Sequence, residues 1–339
     1  MLLSVVIPIY NEEEALPYLL PALRKVLMEM PCTYEIVFVN DGSRDRSPEL
    51  LERVAAEDVR VKVVSFSRNF GHQAAITAGM DFASGDAVVV MDADLQDPPE
   101  ILKQMVECFE QGYDVVSAQR VSRKTDSYFK RFTAAGFYWV MRHMVDSRMV
   151  PEVGDFRLFS RGALLAIRTF REQHRFMRGL VAWLGLKEAI VPFERQSRIA
   201  GETKYPLIKM LRFAWTAISS FSALPLRISM ILGLVFCFAA FLYLAYSIYA
   251  ALVLHAVVPG WASLVVLQCF FSGVTLFVLG LVGDYVAKIF EETKFRPLYV
   301  VNNAFNVVSR GERIERAVIL NRCLEGFRAQ VPQSGRHHC

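Results

Sequence analysis

Residues 88–99 read Val-Val-Val-Met-Asp-Ala-Asp-Leu-Gln-Asp-Pro-Pro, an apolar β-branched run that ends abruptly in carboxylates. Val88 to Met91 has the composition of a buried strand. Pro98 or Pro99 suits a first helical turn, where a missing N–H costs nothing. Asp92 and Asp94 therefore stand at the C-terminal end of a strand, the usual ligand-binding edge of an open α/β sheet. Alternate residues of a strand share a face, and the Ala93 between them is small. Two hard oxygen ligands of this kind suit Mg²⁺ or Mn²⁺, with a nucleotide diphosphate completing the shell. A solvated acidic turn would carry the same residues, so the rest of the chain has to decide.

The elements around that stretch follow a regular order. Leu3 to Tyr10 reads as a buried strand that runs into Asn11 and three glutamates. A helix over 12–30 has Leu16, Leu19, Leu20, Leu23 and Leu27 at helical spacing. Strand 34–40 ends in Asn40-Asp41-Gly42-Ser43, and helix 46–58 leads to strand 61–67. Asn69-Phe70-Gly71 then turns into a helix over 72–83. The pattern is βαβαβαβ, which predicts a mostly parallel, doubly wound sheet. Polar groups close each strand: Tyr10-Asn11-Glu12, Asn40-Asp41, Arg68-Asn69 and Asp92-Ala93-Asp94. In a parallel sheet those ends line one crevice. Neither G-x-G-x-x-G nor G-x-x-x-x-G-K-[ST] is present, which disfavours dinucleotide oxidoreductases and P-loop NTPases.

Three blocks, Ile7-Pro8-Ile9-Tyr10-Asn11-Glu12, Val39-Asn40-Asp41-Gly42-Ser43 and 91–98, resemble the signature of family 2 glycosyltransferases of the GT-A fold. Ser67-Arg68-Asn69-Phe70-Gly71-His72-Gln73 and Gly154-Asp155-Phe156-Arg157-Leu158 are similar to the branch that transfers sugars to polyprenyl phosphates. Bactoprenol glucosyltransferases and dolichol-phosphate mannose synthases belong to that branch. The resemblance implies inverting transfer of a sugar, glucose first, from a UDP-sugar to undecaprenyl phosphate. It implies metal binding by Asp94 with Asp92, and donor binding by Pro8, Tyr10, Asn11, Glu12, Asp41, Asp92, Ala93 and Gln96. Asp155 matches the residue proposed as base or acceptor-orienting group, and Arg157 accompanies it as a catalytic candidate. Arg120, Arg123 and Arg157 are candidates for the acceptor phosphate. The polar loop 194–205, with its Gly201 hinge, resembles one that closes over the donor diphosphate through Arg198 and Lys204.

Composition separates a membrane part. Hydrophobic residues make up 53% of the 339-residue chain, and no Asp, Glu, Lys or Arg occurs between Ile228 and Gly283. About 20 apolar residues span a bilayer, and two such spans fit here, over 228–254 and 261–287. Lys204, Lys209, Arg212 and Arg227 precede them and Lys288, Lys294 and Arg296 follow, so both termini are expected in the cytoplasm. The expected organisation is a GT-A domain over 1–205, an interfacial amphipathic helix over 206–226, two transmembrane helices over 227–290 and a cytoplasmic segment over 291–339 with a disordered end. Aromatic residues mixed with cations over 128–145 suit either the lipid headgroup layer or core packing. The short apolar strand 295–301 suits either pairing within a homo-oligomer or docking on the catalytic domain. A bacterial inner-membrane location follows from the resemblance. No secretory signal opens the sequence, and six unpatterned cysteines fit a reducing compartment. With a net charge of only +4, nucleic acid is not an expected partner.

Two other classes compete. A processive polysaccharide synthase shares the first three blocks but would add Gln-x-x-Arg-Trp and more spans, which are absent. A non-enzymatic sugar-lipid flippase or scaffold would not need the complete carboxylate set. Other sugars, namely galactose, mannose, N-acetylglucosamine or formamido-arabinose, fit the same motifs.

Overall fold

The computed structural model describes residues 1–121, 150, 153–194, 219, 224–252, 260–307 and 318–319. The chain divides into two compact units, Met1–Met210 with Pro297–Cys339, and Leu211–Arg296.

The first unit is built on one mixed sheet. Strands β1 (Leu2–Ile9), β2 (Thr33–Asn40), β3 (Val61–Phe66) and β4 (Ala87–Val90) alternate with helices α1 (Leu16–Met28), α2 (Ser47–Glu57) and α3 (His72–Phe82). Helix α4 (Ile101–Glu110), β5 (Val115–Arg120), β6 (Val153–Ser160), α5 (Arg161–Thr169), α6 (Met177–Leu184) and β7 (Glu188–Phe193) follow. The last strands are β8 (Val300–Phe305) and β9 (Val318–Ile319), giving the order β7-β5-β6-β4-β1-β2-β3-β8-β9. β3, β2, β1 and β4 run parallel, as the sequence pattern predicts. The chain winds outward from β1 through β2 to β3, then crosses back to put β4 on the other side of β1. Strand order thus reverses between β1 and β4, where open α/β sheets bind ligands.

Both faces of the sheet are covered, which is why its central strands are apolar without alternation. Leu19, Leu23 and Leu27 of α1 pack with Phe38, Leu51, Leu102 and Phe156 on one face. No side chain caps the start of α1, so this buried face, at about 2 kcal/mol for each leucine, is what holds the helix. Ile76, Met80, Phe159, Leu164 and Val181 fill the other face. There α3 lies tight against β1: a Cβ at Gly79 would stand 2.1 Å from Val6 Cγ1. The proline pair precedes α4 rather than opening it, with Ile101 N–H bonded to Pro98 O at 3.2 Å.

β6 runs antiparallel to both β4 and β5. The strand expected over 295–301 forms instead at Val300–Phe305, with residues 295–299 leading into it without strand pairing, and β8 pairs antiparallel with β3 in this unit's own sheet. It covers the edge that β3 would otherwise expose.

The second unit contains two long helices, α7 (Leu224–Leu252) and α8 (Trp261–Thr293). Both are long and apolar enough to cross a membrane, over Pro225–Tyr243 and Phe270–Thr293. Their surfaces differ from those of soluble core helices, since Leu234, Phe238 and Phe277 are exposed. Phe236 meets Phe270 and Phe271 edge-on at 5.8 and 5.9 Å, which joins the two helices. The expected 128–145 helix, nearly all of the interfacial helix over 206–226 and the chain end at 330–339 lie outside the described residues.

Candidate active site

The C-terminal ends of β1 and β2 are fastened to each other by their own polar residues. Asn11, with φ of 55°, donates its N–H to Ser43 Oγ at 3.0 Å and accepts from Arg44 N–H at 2.8 Å. Glu12 N–H donates to Ser47 Oγ at 3.0 Å. Pro8 is paired within β1, and Tyr10 remains 45% exposed at the strand's mouth.

Asp41 is buried, and both of its carboxylate oxygens accept backbone N–H groups, Phe70 at 2.6 Å and Gly71 at 2.9 Å. Burial pushes its carboxyl above the usual range, and these two bonds counter that. Gly42 makes the contact possible: its φ is +66°, and a Cβ there would stand 2.5 Å from the Arg68 carbonyl carbon. Asp41 therefore fixes the turn that starts α3, a task its sequence position does not announce.

Past β4 the chain alternates. Asp92, Asp94 and Gln96 are half-buried on one side, while Met91, Ala93 and Leu95 are buried on the other. Asp94 Oδ1 accepts the Gln96 N–H at 3.1 Å, which sets the turn in which Leu95 has φ of 55°. Gln96 Oε1 is buried with no hydrogen-bond partner.

β6 brings the second carboxylate. Val90 pairs with Arg157, so continuing the antiparallel register sets Asp155 opposite Asp92. A parallel strand would have delivered that end of the chain to the far edge of the sheet. Asp155 Oδ1 accepts from Arg178 Nε at 3.2 Å, and Oδ2 accepts from Gln73 Nε2 at 3.2 Å. His72 Nε2 lies 3.4 Å from Asp155 Oδ2 and 3.6 Å from Asp92 Oδ1, bridging the two strand ends. Burial alone would raise the Asp155 pKa, but Arg178, His72 and Arg157 hold it well below the ordinary carboxylate range. His72 moves the opposite way: desolvation disfavours its charge, and the bond to Asp155 with the charges of Asp92 and Asp155 outweighs that, raising its pKa. Desolvation also raises Asp92, aided by Asp155 and Asp94 and opposed by His72.

Arg120 ends β5 with its guanidinium against Gly154, near enough to Asp92 to act on its charge. Arg157 differs from the expectation of a phosphate contact. It is only 4% exposed and lies on the same face of β6 as Asp155, on whose charge it acts. Arg123, Arg198 and Lys204 lie outside the described residues. His72 and Gln73 close the block 67–73 that carries the branch resemblance, with no role assigned to them there; no local signal in the sequence points to Arg178.

Among the described residues, no group of three or more His, Cys, Asp and Glu side chains is arranged to enclose a metal. The half-buried Asp92 and Asp94 nevertheless fit a divalent ion that keeps most of its shell for phosphate and water. Burial, with the nearby charges of Asp155 and Asp94, disfavours the Asp92 carboxylate, and such an ion would relieve that.

Residues 4–168 match the model of glycosyl transferase family 2. A glycosyltransferase of Bacillus subtilis named YkcC and described as uncharacterized is 44% identical over 307 residues, 91% of this chain and 95% of the relative. The chain belongs to glycosyl transferase family 2. It is a glycosyltransferase with a GT-A α/β sheet, and the crevice just described lies at that sheet's switch point. A prophage bactoprenol glucosyl transferase homolog of Escherichia coli is 39% identical over 89% of this chain and 98% of its own length. The bactoprenol glucosyl transferase of Shigella phage SfV is 40% identical over 89% and 99% respectively. The family 2 resemblance in the motifs thus extends through the apolar helices.

Proposed function

We propose that this family 2 enzyme transfers glucose, with inversion, from UDP-glucose to undecaprenyl phosphate at the cytoplasmic face of a bacterial inner membrane. The observation that carries the reading is the meeting of Asp155 with Asp92 through His72 at the sheet's switch point. One strand end suits a donor diphosphate and the other an acceptor. The relatives named for bactoprenol glucosyl transfer, matched almost end to end, support the acceptor and the sugar.

Transfer breaks the bond between C1 of the sugar and the diphosphate, and the acceptor phosphate oxygen attacks from the opposite side. A phosphomonoester has a second pKa of about 6, so the acceptor arrives already anionic and needs no strong base. Asp155, held ionised by Arg178, is correspondingly a weak proton acceptor. Its role here is a fixed charge that orients the cations His72 and Arg178 towards the acceptor phosphate. Arg120 adds positive charge on the same rim. Tyr10, Asn11, Glu12 and Asp41 shape the nucleoside end, with Tyr10 presenting an exposed ring to the base. Asp92 and Asp94 would hold Mg²⁺ or Mn²⁺, which when bound neutralises charge growing on the leaving diphosphate.

The two apolar helices fit the acceptor. Each isoprenoid CH₂ leaving the bilayer costs about 0.8 kcal/mol, so the enzyme must work at the headgroup layer. We read α7 and α8 as the anchor that keeps it there.

The test uses the detergent-purified full chain with UDP-glucose and Mn²⁺. UDP release should require undecaprenyl phosphate and stop on chelation, and Asp94→Asn should lower it by about a hundredfold with folding unchanged. Release that ignores the lipid phosphate, or undiminished turnover by Asp94→Asn, would sink the assignment.

A further inference from the structure

We propose that Gln73 is a positioning residue for the transfer: its side-chain amide holds Asp155 in one orientation and fixes the helix that carries Arg178. The inference rests on the reading that Asp155 stands at the transfer centre.

Three donors reach Asp155, and they come from the first turns of two helices. His72 and Gln73 open α3, and Arg178 lies in the first turn of α6. His72 and Arg178 are charged or chargeable, with side chains 45% and 28% exposed. Gln73 is neutral, and both ends of its amide are committed inside the protein. Its Oε1 accepts the backbone N–H of Met177 at 3.1 Å, and its Nε2 donates to Asp155 Oδ2 at 3.2 Å. The amide orientation follows from those partners. An N–H can only donate and a carboxylate can only accept, so a flipped amide would set N–H against N–H and oxygen against oxygen.

The Met177 bond also has a structural consequence. Met177 is the first residue of α6, and no side chain from the N-cap Phe176 satisfies that helix start. Such N–H groups need partners, and Gln73 supplies one from across the site. A single side chain thus restrains Asp155 directly and, through Met177, the turn that aims Arg178. The other end of α3 is anchored as well: Arg168 donates to the carbonyls of Met80, Asp81 and Ala83. Gln73 is therefore borne on a helix held at both ends, which suits a group that must hold a neighbour still.

Restraint of this kind acts on the transition state more than on donor affinity, because the proposed function puts the donor nucleotide at the ends of β1 and β2, away from Gln73. Gln73→Met keeps the length and removes both hydrogen bonds. Gln73→Glu keeps the shape and the Met177 bond but sets a carboxylate against Asp155. In the full chain with UDP-glucose, Mn²⁺ and undecaprenyl phosphate, both variants should lower kcat by about tenfold or more. The Kd for UDP should stay near that of the wild type, while the Tm falls by only a few degrees for the lost hydrogen bonds. Gln73→Glu should be the slower of the two. Wild-type kcat in both variants overturns the proposal, and so does a parallel loss of kcat, UDP affinity and Tm, which marks a merely structural residue. If the wild-type chain itself transfers nothing to the lipid phosphate, the functional reading fails first and the proposal falls with it. If it does transfer and the variants match it, the proposal alone is lost.

Discussion

Single carboxylates organise this molecule by accepting from several elements at once. Asp58 is an example outside the site: it takes Arg24 of α1 at 3.0 Å and Arg60 at the start of β3 at 3.0 Å. The Arg60 hydrogen bond is the main reason its pKa lies below the ordinary aspartate value. A depressed folded pKa contributes stability above the unfolded pKa and loses it as pH falls through the folded one. The Tm of the wild type should therefore exceed that of Asp58→Asn at pH 7, and the gap should close below about pH 4. An equal gap at pH 7 and pH 3 would contradict the ion-pair account. At this scale the sequence disclosed residue types better than residue tasks. Asp92 and Asp94 are legible because a β-branched run stops at them. Asp41 is equally visible at a strand end, yet its bonds to Phe70 and Gly71 depend on a loop nearly thirty positions away. Arg178 has no local signature, since its partner Asp155 lies on another strand.

Among the elements, α3 joins the site to the segment that follows the apolar helices. Its first turn holds Asp155, and Asp81 near its end is clamped by Arg171 at 2.7 and 2.8 Å and by the Tyr299 hydroxyl, which donates at 2.8 Å. Burial raises the Tyr299 pKa well above its ordinary value, so that hydroxyl stays a donor. Tyr299 also stacks on Phe66 with ring centroids 5.0 Å apart, just ahead of β8. Removing Asp81 leaves the half-buried guanidinium groups of Arg171 and Arg168 uncompensated, and Asp81→Ala should cost about 3 kcal/mol. Tyr299→Phe removes one hydrogen bond to a carboxylate and should cost about 1.5 kcal/mol. Urea unfolding of the two variants checks the order, and a larger loss for Tyr299→Phe would refute it. The parallel strands were legible because they are buried on both faces and spaced by helices. β6 was legible only as a motif, because its antiparallel course and its register with β4 are set by pairing across 67 positions, Val90 to Arg157. Docking of β8 on β3 was one of two readings, and only the open edge of β3 selects it.

The whole chain comprises a catalytic unit and an apolar helical unit, with the chain returning to the catalytic sheet at Pro297. Basic residues flank the apolar stretch on both sides and none lies between the helices, so both termini should be cytoplasmic. A reporter fused after Cys339 should behave as cytoplasmic, and one inserted at Pro259 as external. The reverse pattern would put the crevice on the side without nucleotide sugars. In the proposed function this crevice joins a sugar to a membrane-held phosphate. The most direct test of that function is the product formed by the full chain in liposomes containing undecaprenyl phosphate, given UDP-[¹⁴C]glucose and Mn²⁺. Label should appear in an organic-extractable glucosyl lipid, and be absent without the lipid phosphate and absent with Asp94→Asn. Label that stays in the aqueous phase as free glucose would contradict that function.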